Sequence, residues 1–167
     1  MKNKVLMILL IAITLLLAGC FTPKIGSLGS AHEHADFKVY INGEESNFSQ
    51  LMYMVRSQYV HVENMDGNVI HNHATGITLG YFFNTLRIRF DNNCFVLDTG
   101  TSYCNQGDKT LKFYVNGERN YQYAEYEIRN SDKYLITYGN DSEEEIQKQL
   151  DSVTDHARTL GGWFIEE

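Results

Sequence analysis

The sequence is short of three things: proline, positive charge and recognisable catalytic motifs. A single proline, Pro23, in a chain with 11 Tyr and 9 Phe excludes a proline-rich disordered chain and predicts an ordered, β-rich domain. Lys and Arg number 14 against 21 Asp and Glu, for a net charge of −7. That balance argues against nucleic acid and against electrostatic adhesion to an anionic membrane, both of which need basic patches. It suits attraction of cations. No HExxH pair, serine elbow, phosphate loop or Cys-x-x-Cys is present.

What is present is histidine, concentrated. Five of the six histidines fall in one part of the chain. His32 and His34 form a His-x-His pair in AHEHADF, His71 and His73 form another in VIHNHAT, and His61 stands between them in YVHVE. On an extended strand, residues i and i+2 share a face. Each pair therefore presents two imidazoles side by side. Neutral imidazole is the commonest metal ligand, and three or four of them suit zinc, copper or nickel. Glu63, Asp36 and Glu33 are the carboxylates near enough to coordinate or to support the ligands, with Glu63 the first candidate. His156 is expected on the polar side of a C-terminal helix, as a surface residue.

The N-terminus opens MKNKVLMILLIAITLLLAGC. Its apolar run is short for a membrane-spanning helix, which needs about 20 residues, and fits a signal peptide over 1–19. The LAGC ending resembles the lipobox of bacterial-type lipoproteins. The resemblance implies cleavage before Cys20 and a lipid on its sulfur. An uncleaved signal anchor is the alternative. Either way the body is expected to be membrane-attached and to face the extracytoplasmic side. Losing Lys2 and Lys4 with the leader moves the net charge to about −9. Residues 20–31 are expected to be a lipidated Cys and a flexible Gly/Ser-rich tether. Residues 32–167 are expected to form a single His-rich β domain.

Cys94 and Cys104 flank FVLDTGTSY. An oxidising compartment favours a disulfide between them, with a hairpin about Thr99-Gly100-Thr101 bringing the sulfurs together. A redox-active pair is the weaker alternative, because no helix N-terminus is evident to lower either thiol's pKa.

Strands are expected at Phe37–Ile41, across Leu51–Val62, at Asn68–His73, Leu86–Phe90, Cys94–Leu97 and Leu111–Val115. Another hairpin is expected from Tyr121–Ile128 with Lys133–Tyr138. Asn42-Gly43 and Asn116-Gly117 are two-residue hairpin turns. They lie in the similar runs VYINGEE and FYVNGER, which mark either a duplication or a chance recurrence. Thr78 is an N-cap, with Ile77 and Phe82 as a hydrophobic staple, for a short helix at about 78–86. Ser142 with Glu145 is a capping box for a helix at about 142–159, with Ile146, Leu150, Val153 and Ala157 as its apolar stripe. Gly161-Gly162 ends it, and Trp163 and Phe164 are expected to tuck back. The class is mostly β (α+β): a β-grasp-like roll around the short helix, or a small sandwich with peripheral helices.

Register decides whether the histidines meet. A three-residue loop Met65-Asp66-Gly67 sets His61 opposite His71, Tyr59 opposite His73 and Glu63 opposite Val69. It also leaves Val60, Val62, Ile70 and Asn72 on the other face. A two-residue Asp66-Gly67 loop sends His61 to the face away from His71 and His73. The three-residue loop is preferred, because it gathers the polar side chains.

The run from Tyr59 to Leu86, YVHVENMDGNVIHNHATGITLGYFFNTL, resembles an uncharacterised group of secreted or membrane-anchored archaeal and bacterial proteins. They share a His-x-His before a strand ending in Asn-Gly, then a His-containing hairpin and a TLGxFF helix. The two Cys and Leu135–Gly139 also fit that group. The resemblance implies that the histidines act as a set, and carries no activity.

The expectation is a membrane-tethered protein that captures, buffers or delivers zinc or copper, exchanging it with a donor or acceptor protein. Met52, Met54 and Met65 lie near enough to assist copper(I), although Met52 and Met54 read better as core. A metal-dependent enzyme with a three-His open site and Glu63 as general base is one alternative. A cell-surface interaction module without metal is another, and would be favoured by mutually distant histidines.

Overall fold

The structure is a computed structural model and describes residues 25–160. The leader, Cys20, the first residues of the tether, the Gly161-Gly162 stop, Trp163 and Phe164 lie outside the described residues.

Among the described residues, ten strands and three α-helices follow in order: β1 (Glu33–Ile41), β2 (Glu44–Glu45), β3 (Val60–Glu63), β4 (Asp66–Asn72), α1 (Leu79–Thr85), β5 (Arg89–Phe90), β6 (Cys94–Val96), β7 (Ser102–Cys104), β8 (Thr110–Val115), β9 (Glu118–Asn120), β10 (Lys133–Gly139), α2 (Glu143–Ser152) and α3 (His156–Leu160). The main sheet runs β3-β4-β1-β10-β8-β9, with β2 paired to β1. Its two central strands, β1 and β10, are parallel, and β4 and β8 flank them antiparallel. β5, β6 and β7 form a small second sheet. The class is α+β, mostly β: a mixed sheet with a parallel central pair and a helix against one face, beside a small second sheet.

Alternation along β1 explains the layering. Ala35, Phe37 and Val39 face the main core, where they meet Leu79, Phe82 and Phe83 of α1. The Phe37 and Phe82 rings meet edge to face at 5.4 Å. Thr78 caps α1 by accepting from the Tyr81 backbone N–H at 3.2 Å, and the staple residues Ile77 and Phe82 are fully buried. The opposite face carries a smaller cluster, Leu135 with Ile146 and Val153, packed against Tyr40, Tyr114 and Leu150. Both Asn-Gly turns have positive φ at both residues, 51° and 84° at Asn42-Gly43 and 52° and 86° at Asn116-Gly117. That is the type I′ signature that suits strand twist.

Four expectations need correction. The segment 121–128 is no strand partner of β10; it holds a short 3₁₀ turn at Tyr123–Glu125. Its backbone pairs instead with the approach to α1, where the Leu79 N–H donates to Tyr126 and the Ile128 N–H to Ile77. Residues 51–53 likewise form a 3₁₀ turn, leaving β3 to begin at Val60. The capping box at Ser142 is present, but the C-terminal helix breaks at Val153, whose ψ is 124°. The cause lies far away in sequence. The buried Asp36 carboxylate accepts from the His156 and Ala157 backbone N–H groups, both at 3.0 Å, and from the Thr154 hydroxyl. It caps a new helix, α3, and pins it to β1. Finally, residues 26–30 of the expected tether are held against β4's exit. The Gly26 N–H donates to Thr75 and the Gly29 N–H to His73.

The Cys94–Cys104 disulfide is formed, joining register partners on β6 and β7. Among the described residues no helix is long and apolar enough to cross a membrane.

Candidate metal centre

The His hairpin reaches the preferred register by a different turn. Glu63 pairs with Asp66, and the two residues between, Asn64 and Met65, have φ of 54° and 60°. The loop is therefore a two-residue, type I′-like turn two residues earlier than Asp66-Gly67. The register then shifts by three residues between Glu63 and His61, so His61 lies opposite His71. Glu63 thus faces Asp66 rather than Val69. Gly67 is required for another reason: a Cβ there would come within 2.2 Å of the Phe48 carbonyl carbon. Val60, Val62, Ile70 and Asn72 are fully buried on the other side, as the alternation predicts.

β1 pairs with β4 so that His34 lies opposite His71. His34, His71 and His61 are thus one row across three adjacent strands. His32 and His73, each two residues along, extend the row at one end. The rings close into a circuit. Centroids are 4.9 Å apart for His32–His34, 4.7 Å for His34–His71 and 5.7 Å for His71–His61. The circuit finishes with 5.1 Å for His61–His73 and 5.3 Å for His73–His32. Imidazoles around one tetrahedral zinc have centroids about 5 Å apart, given Zn–N of about 2.0–2.1 Å. Packed aromatic rings show similar spacings, so the nitrogens carry the argument.

Two nitrogens are informative. His34 Nδ1 is buried and has no hydrogen-bond partner; such an orphan is costly unless something fills it. His61 Nδ1 lies 2.8 Å from the Ser57 carbonyl oxygen. A carbonyl only accepts, so Nδ1 carries the proton, and in the neutral ring Nε2 offers a lone pair. That lone pair faces Glu63 Oε2 at 3.4 Å. Two ligands on a tetrahedral ion at about 2.05 Å stand about 3.3 Å apart, so a cation fits this gap. Glu63 Oε1 lies 3.8 Å from His71 Nδ1.

Burial lowers the pKa of His71 to about 4, with His34, His61 and His73 adding to the effect and Glu63 opposing it. Burial also lowers His34, helped by His32 and His73, and lowers His73, helped by His61 and His32. At neutral pH these three rings are uncharged, the form that ligates. Among the described residues, no group of three or more His, Cys, Asp or Glu is placed so that it could hold a metal ion. The circuit is wider than a closed coordination shell.

The other expected groups go elsewhere. Glu33 lies on the opposite face and accepts from the Asn72 amide at 2.9 Å. Asp36 is on the histidine face but is committed to capping α3. Met54 packs against the core, whereas Met52 is exposed, contrary to its expected burial, as is Met65. His156 is exposed and contacts Asp66 Oδ2 at 2.9 Å. Ser57 and Asn130, which hold His61 and the His34 backbone N–H, carry no local signal in the sequence. The cavities beside Phe48, Tyr121 and Gln149 are lined by none of the five histidines. No family model matches the chain, and neither a curated protein nor a solved structure matches it.

Proposed function

We propose that this is a membrane-tethered, extracytoplasmic metal-binding protein that captures, buffers or delivers zinc or copper through its histidine circuit. The observation that carries the reading is the closure of all five histidines on one sheet face, with Glu63 against His61 and His71. The orphaned His34 Nδ1 and the facing acceptors of His61 and Glu63 both call for a cation. The donor set is nitrogen and carboxylate, since Cys94 and Cys104 are used in a disulfide. It suits zinc or copper(II) better than copper(I), which prefers sulfur. The disulfide also suits an oxidising compartment.

A metal-dependent enzyme is the second reading: Glu63, 3.4 Å from His61 Nε2, is the carboxylate available to act as its general base.

The test is metal content by mass spectrometry on the full chain in mild detergent, without an affinity tag. The His71→Ala/His73→Ala variant runs beside it. Stoichiometric zinc or copper that disappears in the variant supports the reading. Absence of metal in the wild type after reconstitution overturns it.

A further inference from the structure

Four large apolar side chains stand exposed together at one edge of the main sheet. Leu51, Met52, Val55 and Met65 are 80%, 52%, 58% and 50% exposed. They come from two pieces of chain that meet at the tip of the β3–β4 hairpin. The Val55 N–H donates to the Val62 carbonyl at 2.9 Å, and the Gly67 N–H donates to Ser49 Oγ at 3.0 Å. The 3₁₀ turn at Leu51–Tyr53 lies between those two contacts on one piece, and Met65 lies between them on the other. β3, beside them, ends the strand order of the sheet.

The backbone holds two of these side chains outward against its own preference. Val55 and Met65 have φ of 47° and 60°. A β-branched residue rarely adopts such a φ, and the strain persists only where the surrounding structure imposes it, as at binding surfaces. Apolar side chains exposed singly need no explanation, but several exposed together mark a surface that meets something.

The chemistry around the patch selects its partner. In a chain of net charge −7, no Asp or Glu falls from Ser46 to Val62, and Arg56 is the only Lys or Arg there. Arg56 is exposed. An exposed arginine beside apolar side chains suits the phosphate level of a lipid bilayer. The position of the tether agrees. Cys20 precedes Ile25 by five residues, a reach of at most about 18 Å. The Gly26 N–H donates to Thr75 at 2.9 Å and the Gly29 N–H to His73 at 2.7 Å, which ties this segment to the end of β4 away from Met65. Ile25 and Leu28 are exposed there. β4 is about 20 Å long, so exposed apolar side chains mark both of its ends within reach of one membrane surface.

Resting on the membrane-tethered reading above, we infer that the tip of the β3–β4 hairpin and the adjoining 3₁₀ turn form a second membrane contact, in which Leu51, Met52, Val55 and Met65 enter the interfacial layer of the bilayer and Arg56 meets lipid phosphate. The partner is lipid. Four side chains bury too little area to hold the protein on a membrane alone. The tether keeps them at high local concentration beside the bilayer, so a weak contact suffices. A tether by itself leaves the domain free to turn. The second contact lays it on its side, with the β3 edge toward the lipid.

The test replaces methionine with its diazirine analogue, photo-methionine, throughout the full chain, reconstituted in phosphatidylcholine vesicles. Flotation with the vesicles reports the tether. Adducts formed on illumination and mapped by mass spectrometry report the contact, with Met54, which packs against the core, as the internal control. Met52 and Met65 are expected to carry lipid adducts and Met54 none. Leu51→Ser/Val55→Ser, checked for folding by circular dichroism, is expected to float as the wild type does and to lose about fivefold or more of the lipid adducts at Met52 and Met65. Floating protein without lipid adducts at Met52 and Met65, or with undiminished adducts in the variant, overturns the contact and leaves the tether standing. Adducts joining two chains at these positions overturn it in favour of a second copy. Failure of the wild type to float overturns the tethered reading, and the contact with it.

Discussion

His34 and His71 are register partners across β1 and β4, and their rings meet edge to face with centroids 4.7 Å apart. This contact joins the two His-x-His segments, which are separated in sequence by the whole first hairpin and β3. It also leaves His34 Nδ1 buried without a partner.

That orphan makes a stability prediction. In metal-free protein, His34→Leu removes an unsatisfied polar atom and is expected to raise stability by about 1 kcal/mol. In the proposed metal-binding role His34 is a ligand, so the same change is expected to abolish any stabilisation by zinc. Urea unfolding with and without a chelator measures both effects. A metal-free variant clearly less stable than wild type would contradict the role given to Nδ1.

The metal-free protein is expected to weaken in mild acid. His71 has a pKa of about 4 in the fold against 6.5 when unfolded, chiefly through burial. The unfolded chain therefore binds the proton first, and stability falls as pH drops from about 6.5 to about 4, levelling off below. The His71 contribution is on the order of 3 kcal/mol across that window. Unfolding midpoints at a series of pH values, wild type against His71→Gln, isolate it. An identical pH dependence in the two proteins would remove His71 from the account.

Asp36 joins the sheet to α3 with three donors on one buried carboxylate. Asp36→Ala is expected to destabilise by about 2 kcal/mol. Hydrogen exchange should rise first in residues 154–160. Uniform exchange changes across the sheet, with 154–160 unaffected, would contradict the capping role.

The disulfide spans a sequence separation of 10. Cys94→Ala/Cys104→Ala is expected to lower stability by about 2–3 kcal/mol in the chain-entropy model without changing metal stoichiometry. Loss of metal in that variant would place the cysteines in the metal chemistry after all.

Local chemistry was legible in the sequence wherever its cause was local. The Thr78 cap with its staple, the Ser142–Glu145 box and both Asn-Gly turns read directly, because each is completed within a few residues. The face on which His61 meets His71 was also legible, from the alternation of Val60, Val62, Ile70 and Asn72. The turn was not. Asp66-Gly67 resembles a hairpin turn, yet Gly67 is there because the backbone of Phe48 and Ser49 leaves no room for a Cβ. The break at Val153 was hidden because its capping group, Asp36, comes from β1. The pairing of His34 with His71 was hidden because strand order is set by the sheet as a whole.

The most direct test of the histidine centre is zinc-edge X-ray absorption on the loaded full chain. The account predicts a shell of about four light atoms at about 2.0–2.1 Å, dominated by imidazole with one carboxylate oxygen and no sulfur. A shell of water or carboxylate oxygen without imidazole scattering, or one containing sulfur, would contradict it.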